Sequence, residues 1–322
     1  MCKSNNNVSD GNVKVSVCIP TFNCAASAEL TLRSVVNQQT GRFSLEIIVC
    51  DDCSKDSINE VVARFSDVTL VKSPINLGIG HNFNRCVQVA TGDYIHILHG
   101  DDLVNHSFYR EIAEAILANR DVGTFVSATT LIDEVGCIVD SGDNSARGDM
   151  SNFFLSNILY ENPIFTPSVV IDRSVYSNVG LFDTELSHLT DWHMWIRSIS
   201  FSGVLHVPNA MAFYRMYSAN DTAKCIKSAS NVRERLLIRK WLRCKGFVFD
   251  SQRFDLVTFH QALNQYKEFL AKRQIKYAQN NLLEAFNVIG LLPMKLRCTA
   301  VSLILKSTIR GFLFPARPKI FT

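Results

Sequence analysis

With 322 residues and 47% apolar content, the chain can bury a full-sized core, which excludes a disordered protein and leaves room for one large domain or a domain plus an appendage. The formal net charge of +3 conceals a division: residues 1–223 carry 14 Lys and Arg against 25 Asp and Glu, and residues 224–322 carry 19 against 5. An acidic body with a basic tail directs the tail toward something anionic, a membrane surface or a nucleic acid, with solvated helix faces as the plain alternative; of the two partners, no nucleic acid is expected.

The first twelve residues are polar, read as a disordered tail, and contain no apolar h-region, so the ten cysteines imply a reducing, cytoplasmic setting and no disulfide framework. From Val13 to Pro20 apolar residues alternate with Lys14 and Ser16, the pattern of a strand entering a buried sheet. Ser27 is placed to cap a helix whose apolar face is Ala28, Leu32, Val35 and Val36. The unit repeats with a strand at Leu45 to Cys50 and a helix carrying Ile58, Val61, Val62 and Phe65. A strand at Val68 to Val71, a helix with Phe83, Val87 and Ala90, and a strand at Tyr94 to Leu98 follow. A helix near Ser107 to Ala118 and a strand at Val122 to Val126 close the regular alternation. This βαβα succession predicts an α/β fold, Rossmann-like, with a mostly parallel central sheet and helices on both faces. Beyond residue 127 the pattern loosens into short strands and loops, with one clear helix marked by Trp192, Trp195, Ile196 and Ile199, where both tryptophans read as core. From about 226 the chain turns helical and basic, giving a catalytic domain over 13–225 and a C-terminal helical basic extension over 226–322.

In open α/β sheets ligands gather at the carboxyl ends of the strands. The first strand ends in Pro20-Thr21-Phe22-Asn23, the second in Asp51-Asp52-Cys53-Ser54-Lys55-Asp56, and the fourth in His99-Gly100-Asp101-Asp102. Cys50 and Cys53 lack the second pair that a four-ligand zinc site requires, and Cys50 reads as a buried strand residue. Five carboxylates at one edge repel by ~1 kcal/mol per pair at 4 Å in water and roughly 4 at an effective dielectric of 20, so a cation is expected there. Mg²⁺ or Mn²⁺ suits an oxygen-rich set completed by substrate phosphates. Asp56 doubles as a helix cap ahead of Ile58.

Four segments, 15–23, 46–56, 76–102 and 181–197, resemble in their order the family 2 glycosyltransferases of the GT-A fold, particularly those that build bacterial surface polysaccharides such as O-antigen or capsule. The resemblance implies that Phe22 stacks on the nucleotide base and that Asp52 accepts a hydrogen bond from it, with Pro20, Thr21 and Asn23 beside them. It implies that Asp101 is the second Asp of the family's DXD motif and binds the metal, that Gly100 separates it from His99, and that Asn76, Gly78 and Asn84 border the donor pocket. His99 replaces the motif's first Asp; an imidazole can ligate a divalent ion or bond the ribose. Asp191 matches the family's general base, although Thr190 stands where a Glu is usual. Inverting transfer needs such a base to take the acceptor hydroxyl's proton, and a helix N-terminus helps keep it ionised. His193 and Arg197 face either the diphosphate or solvent on this reading. The QxxRW motif of the processive synthases is absent from the sequence, which favours transfer of single residues.

The expected reaction joins a sugar from a nucleotide diphosphate donor, with UDP-sugars favoured, to a saccharide or polyprenyl-linked oligosaccharide acceptor. Residues 287–322 hold Lys295, Arg297, Lys306, Arg310, Arg317 and Lys319 and no acidic residue, interleaved with Leu303, Ile304, Ile309, Phe312, Leu313 and Phe314. The pattern fits an amphipathic segment on an anionic membrane, hence a peripheral location on the inner face of the cell membrane; a helix packed on the protein is the alternative. No apolar run reaches the ~18 residues that spanning requires, since Lys306 and Arg310 interrupt Thr299 to Phe314. Two other classes compete: a domain that binds nucleotide sugar without turnover, and a sugar nucleotidyltransferase, which would need a Gly-rich loop where Phe22-Asn23-Cys24-Ala25 stands. A dehydrogenase lacks its GxGxxG, because Gly78-Ile79-Gly80 continues as His81-Asn82-Phe83.

Overall fold

A computed structural model describes residues 12–39, 41–140, 149–216 and 221–313; residues 1–11 of the N-terminal segment and Phe314, Arg317 and Lys319 of the tail lie outside these. The chain divides into two compact units, one of residues up to 158 and 162–217, the other of residues 159–161 and 218–322.

The larger unit is built on a nine-stranded sheet. Its first half is a parallel succession: β1 (Val13–Thr21), α1 (Ala25–Val36), β2 (Phe43–Asp51), α2 (Ile58–Val62), β3 (Val68–Lys72), α3 (Ile79–Val89) and β4 (Tyr94–Ile97). The two-residue β5 (Leu103–Val104) and α4 (Phe108–Ala118) lead to the second half. That half contains β6 (Thr124–Ile132), β7 (Ile138–Asp140), α5 (Ser151–Asn157), a 3₁₀ turn at Thr166–Ser168, β8 (Val169–Asp172), α6 (Arg173–Val179), α7 (Thr190–Ser202) and β9 (Leu205–Arg215). Strand order is β3-β2-β1-β4-β8-β6-β9-β5, with β7 on β6. Strands β1 to β4 are mutually parallel, whereas β8 runs antiparallel to both β4 and β6.

Alternation along β1 explains the layers. Val13, Val15, Val17 and Ile19 point into a core made with Leu32 and Val35 of α1, Val61 of α2 and Ile112 of α4. Cys18 faces the opposite way, where its thiol donates to the Cys86 carbonyl of α3 at 3.4 Å. Helices therefore cover both faces, as the βαβα pattern predicts, and Cys50, Trp192 and Trp195 are core residues.

Two local readings change. Helix α1 starts at Ala25, two residues before the expected Ser27 cap, because the Asp56 carboxylate accepts the Ala25 N–H at 2.8 Å; Ser27 instead donates to the Gly100 carbonyl at 2.9 Å. Beyond residue 127 the strands are longer than the sequence suggested, nine residues in β6 and eleven in β9. These two pair in parallel with a register shift at Ser127/Ala128, which blurs the period-two pattern.

The smaller unit is helical: α8 (Asp221–Ser228), α9 (Ser230–Cys244), α10 (Ser251–Ala271), α11 (Ile275–Ile289) and α12 (Met294–Leu313). The composition boundary at 225/226 falls inside α8. Phe259, Leu263 and Tyr266 of α10 meet Ala285 and Val288 of α11 and Ala300 and Ile304 of α12 in one core. Arg235, buried, bonds the Thr258 hydroxyl at 3.0 Å and the Tyr160 carbonyl, and Asp255 pairs with Arg239 at 2.5 Å. Helix α12 thus packs on its own bundle by one face. Its other face exposes Met294, Val301, Leu305 and Ile309.

Candidate active site

The loops after β1 and β2 are joined by hydrogen bonds. The Asp52 N–H donates to the Thr21 carbonyl at 2.9 Å, the Asn23 N–H to Ser54 Oγ at 2.9 Å, and the Lys55 N–H to Asn23 Oδ1 at 2.9 Å. Asn23 sits at φ 51°, in the left-handed region that Asn tolerates better than most side chains. Pro20 and Thr21 are thereby fixed at the strand end, while Phe22 is left 50% exposed at the sheet edge.

Asp52 is buried, and its carboxylate accepts the Leu77 N–H at 3.0 Å and the Gly78 N–H at 2.9 Å. Gly78 has φ 86°, a conformation that strains any other common residue. The bonds wrap the segment holding exposed Asn76 around Asp52, and a carboxylate's roughly four lone-pair sites leave capacity for another donor. Asn84 acts differently. Its amide donates to the Phe182 carbonyl at 2.9 Å and accepts the Phe182 N–H at 2.7 Å, clamping α3 to the segment before α7.

The turn after β4 packs against the end of β1. A Cβ at Gly100 would lie 2.7 Å from Cys24 Sγ and 3.0 Å from Thr21 Cγ2, so only glycine lets the turn approach this closely. His99 stacks on Phe83 at 5.6 Å, holds Nδ1 3.3 Å from Asp102 Oδ2, and has a buried Nε2 with no hydrogen-bond partner. Burial opposes protonation of His99, but Asp102, Asp101 and Asp191 outweigh it and raise its pKa above the ordinary value. Asp101 is pushed up to about 6, by burial first and by Asp102 second. Ligand atoms of His99, Asp101 and Asp102 lie within 4.8 Å of one another, the spacing of a site for one metal ion.

The acidic edge is less crowded with free charge than the sequence implied. Asp51 takes the Thr21 hydroxyl and the Ser54 N–H, Asp56 takes the Ala25 and Ile58 N–H groups, and Asp52 takes those of Leu77 and Gly78. Arg215, absent from the sequence reading, serves the last pair. Buried at the end of β9, it donates its backbone N–H to Asp102 Oδ1 at 2.8 Å and its side-chain Nε to the Asp101 main-chain carbonyl at 2.8 Å, while Nη1 reaches the main-chain carbonyls of Asp133 and Glu134. The available signal was a lone basic residue closing the otherwise uncharged strand Ala210 to Tyr214.

Asp191 lies in the first turn of α7, partly buried. Its Oδ2 accepts the Thr166 hydroxyl at 3.2 Å and the Asn162 amide at 3.4 Å, and Oδ1 accepts the Trp192 N–H at 2.6 Å. Burial raises its pKa, against the pull of His188, the Trp192 N–H, His99 and Thr166. His99 is among the smaller causes acting on Asp191, and Asp191 among the smaller ones acting on His99. Arg197 points elsewhere, donating to the Val179 and Leu181 carbonyls at 2.8 Å each. His193 is buried 3.6 Å from Asp183, and its pKa falls to about 4 mainly through burial.

Known proteins resemble the chain in sequence and in fold. The family model described as glycosyl transferase family 2 matches residues 16–136. An uncharacterized Mycobacterium tuberculosis protein, MT1568, is 30% identical over 243 residues, 71% of this chain and 75% of that one. Abequosyltransferase RfbV of Salmonella typhimurium is 32% identical over 93 residues, 27% of this chain and 28% of its own. A solved structure of S. aureus TarS 1–349 in complex with UDP-GlcNAc superposes with a TM-score of 0.62 at 15% identity, covering 92% of this chain and 90% of that one, a likeness of fold. The chain belongs to the family 2 glycosyltransferases and has the GT-A fold.

Proposed function

We propose that this chain is an inverting, metal-dependent glycosyltransferase that moves one sugar from a UDP-sugar to a saccharide or polyprenyl-linked saccharide in surface polysaccharide synthesis. The observation that carries the proposal is the cluster of His99, Asp101 and Asp102 after β4, whose ligand atoms lie within 4.8 Å of one another, because transfer from a nucleotide diphosphate needs a cation to offset the leaving group's charge. Phe22 offers a half-exposed ring for the nucleotide base, and Asp52 an acceptor for its N–H edge. Asn76 and Gly78 border this pocket, Pro20, Thr21 and Asn23 shape its floor, and Asn84 holds the donor-side helix against the segment leading to the base.

Asp101 and His99, with Asp102 beside them, would hold Mn²⁺ or Mg²⁺; the unpartnered His99 Nε2 and ligand atoms within 4.8 Å of one another fit such an ion. A bound divalent ion would neutralise charge on the leaving diphosphate. Asp191 takes the acceptor proton: burial raises its basicity, while Thr166 and Asn162 orient the carboxylate. The UDP-GlcNAc carried by TarS supports a UDP-sugar donor, and RfbV, an abequosyltransferase, supports transfer of a glycosyl group.

We also propose that α12 meets an anionic membrane. Among the described residues no helix is long and apolar enough to cross one, but the exposed row Met294, Val301, Leu305 and Ile309 with Lys295 and Lys306 suits an interfacial face. Incubating the protein with a panel of nucleotide sugars and Mn²⁺ tests the enzymatic reading. Metal-dependent release of nucleotide from one donor class is expected. Tight UDP binding without turnover of any donor would favour a binding domain instead.

A further inference from the structure

Two aromatic side chains unused by this scheme stand next to it. The rings of Phe165 and Tyr214 lie 4.8 Å apart at 38°, and Phe165 is 37% exposed although Ile164 and Thr166 on either side are buried. Phe165 directly precedes Thr166, whose hydroxyl holds Asp191. Tyr214 directly precedes Arg215, which holds Asp101 and Asp102. The pair therefore joins the segment that orients the base to the strand that fixes the acidic turn.

Sheet order assigns the pair a side. Phe22 and Asp52 follow β1 and β2, the His99–Asp102 turn follows β4, and Phe165 and Tyr214 belong to the approach to β8 and to β9, across β4 from the nucleotide loops. We propose that Phe165 and Tyr214 form the platform on which the acceptor saccharide rests its apolar face, a reading that depends on the transferase assignment above. A pyranose presents a face of C–H groups that an aromatic ring covers, while its hydroxyls remain at the rim for the base. The mount is rigid. The Phe165 carbonyl accepts both the Ser168 N–H at 3.0 Å and the Ser168 hydroxyl at 2.7 Å, and Tyr214 is paired with Leu131 on β6. Few rotatable bonds keep the entropic cost of ordering such rings low. The class of ligand is a hexose or N-acetylhexosamine unit, whose pyranose C–H face matches the paired rings in size and polarity.

Saturation-transfer NMR with octyl α- and β-glycosides of common hexoses and N-acetylhexosamines, at saturating UDP and Mn²⁺, tests the platform. Wild type should bind at least one glycoside through its ring C–H protons. Phe165→Ala and Phe165→Leu should weaken that binding by roughly threefold to tenfold, Phe165→Trp should retain it, and UDP affinity should stay within about twofold in all three. Glycoside binding undiminished in both Ala and Leu variants, or no glycoside bound by a wild type that does bind UDP, would overturn the platform. Failure of wild type to bind UDP would instead count against the transferase assignment itself.

Discussion

The two halves of the larger unit build their functional side chains in opposite ways. On the proposed donor side Phe22 and Asp52 directly follow β1 and β2, and bonds between neighbouring strand-end loops, spanning 25 to 32 residues of sequence, hold them: Asp52 gathers the Leu77 and Gly78 N–H groups, and Asn23 and Ser54 stitch the loops together. On the proposed base side Asp191 starts a helix rather than ending a strand, and Asn162 and Thr166 of the segment before β8 position it. The acidic turn after β4 is also tied to Arg215 at the end of β9, more than a hundred residues downstream. The parallel half thus writes its site at successive strand ends, whereas the second half draws on a turn, a helix start and the end of β9.

That contrast predicts where damage is greatest. Asp191→Asn should lower transfer by roughly 10²–10⁴ while leaving UDP affinity intact, measured by donor turnover and titration calorimetry; transfer at the wild-type rate would remove Asp191 from its role.

The next effect concerns a joint between the halves, His96 of β4, buried between the Tyr109 hydroxyl and the Pro167 carbonyl at 2.9 Å each. Burial lowers its pKa from 6.5 to about 4. Above the unfolded value the imidazole is neutral in both states and the stability is fully present. As pH falls from 6.5 toward about 4 the unfolded chain takes up the proton first, and roughly 3 kcal/mol is lost. His96→Gln should flatten the dependence of urea midpoints on pH across that window, and parallel curves for the two proteins would contradict this.

Arg215→Lys keeps the charge but loses the forked contacts, and should weaken Mn²⁺ binding by roughly 10–100-fold, as loss of a residue orienting metal ligands does. Competition with a fluorescent Mn²⁺ chelator reads it out. Phe22→Ala should have the smallest effect, about 1 kcal/mol of UDP affinity, because a ring half open to solvent stacks on only one side. A larger loss there than in Arg215→Lys would reverse the ranking of the strand-end loops and the end of β9.

The same contrast explains what could be read from residues alone. Strands β1, β2 and β4 and the carboxylates after them were legible because burial on both faces gives unbroken apolar runs ending in polar punctuation. Gly78 and Gly100 were legible as positions but not as causes; a left-handed φ and a 2.7 Å approach are visible only in three dimensions. Arg215, Thr166 and Asn162 were missed because none stands directly after one of the parallel strands β1, β2 and β4, and the partner of each is visible only in three dimensions. Arg197 could not be decided from sequence, since a basic residue on a helix looks the same facing a diphosphate or, as here, bonding the Val179 and Leu181 carbonyls. Strands β6 and β9 were blurred by their shared irregularity at Ser127/Ala128.

Titration of UDP into the wild type and Asp101→Ala, with and without Mn²⁺, tests the central claim most directly. The account predicts that Mn²⁺ strengthens UDP binding to the wild type and that Asp101→Ala erases this gain while keeping the metal-free affinity. Equal Mn²⁺ enhancement in both proteins would contradict it.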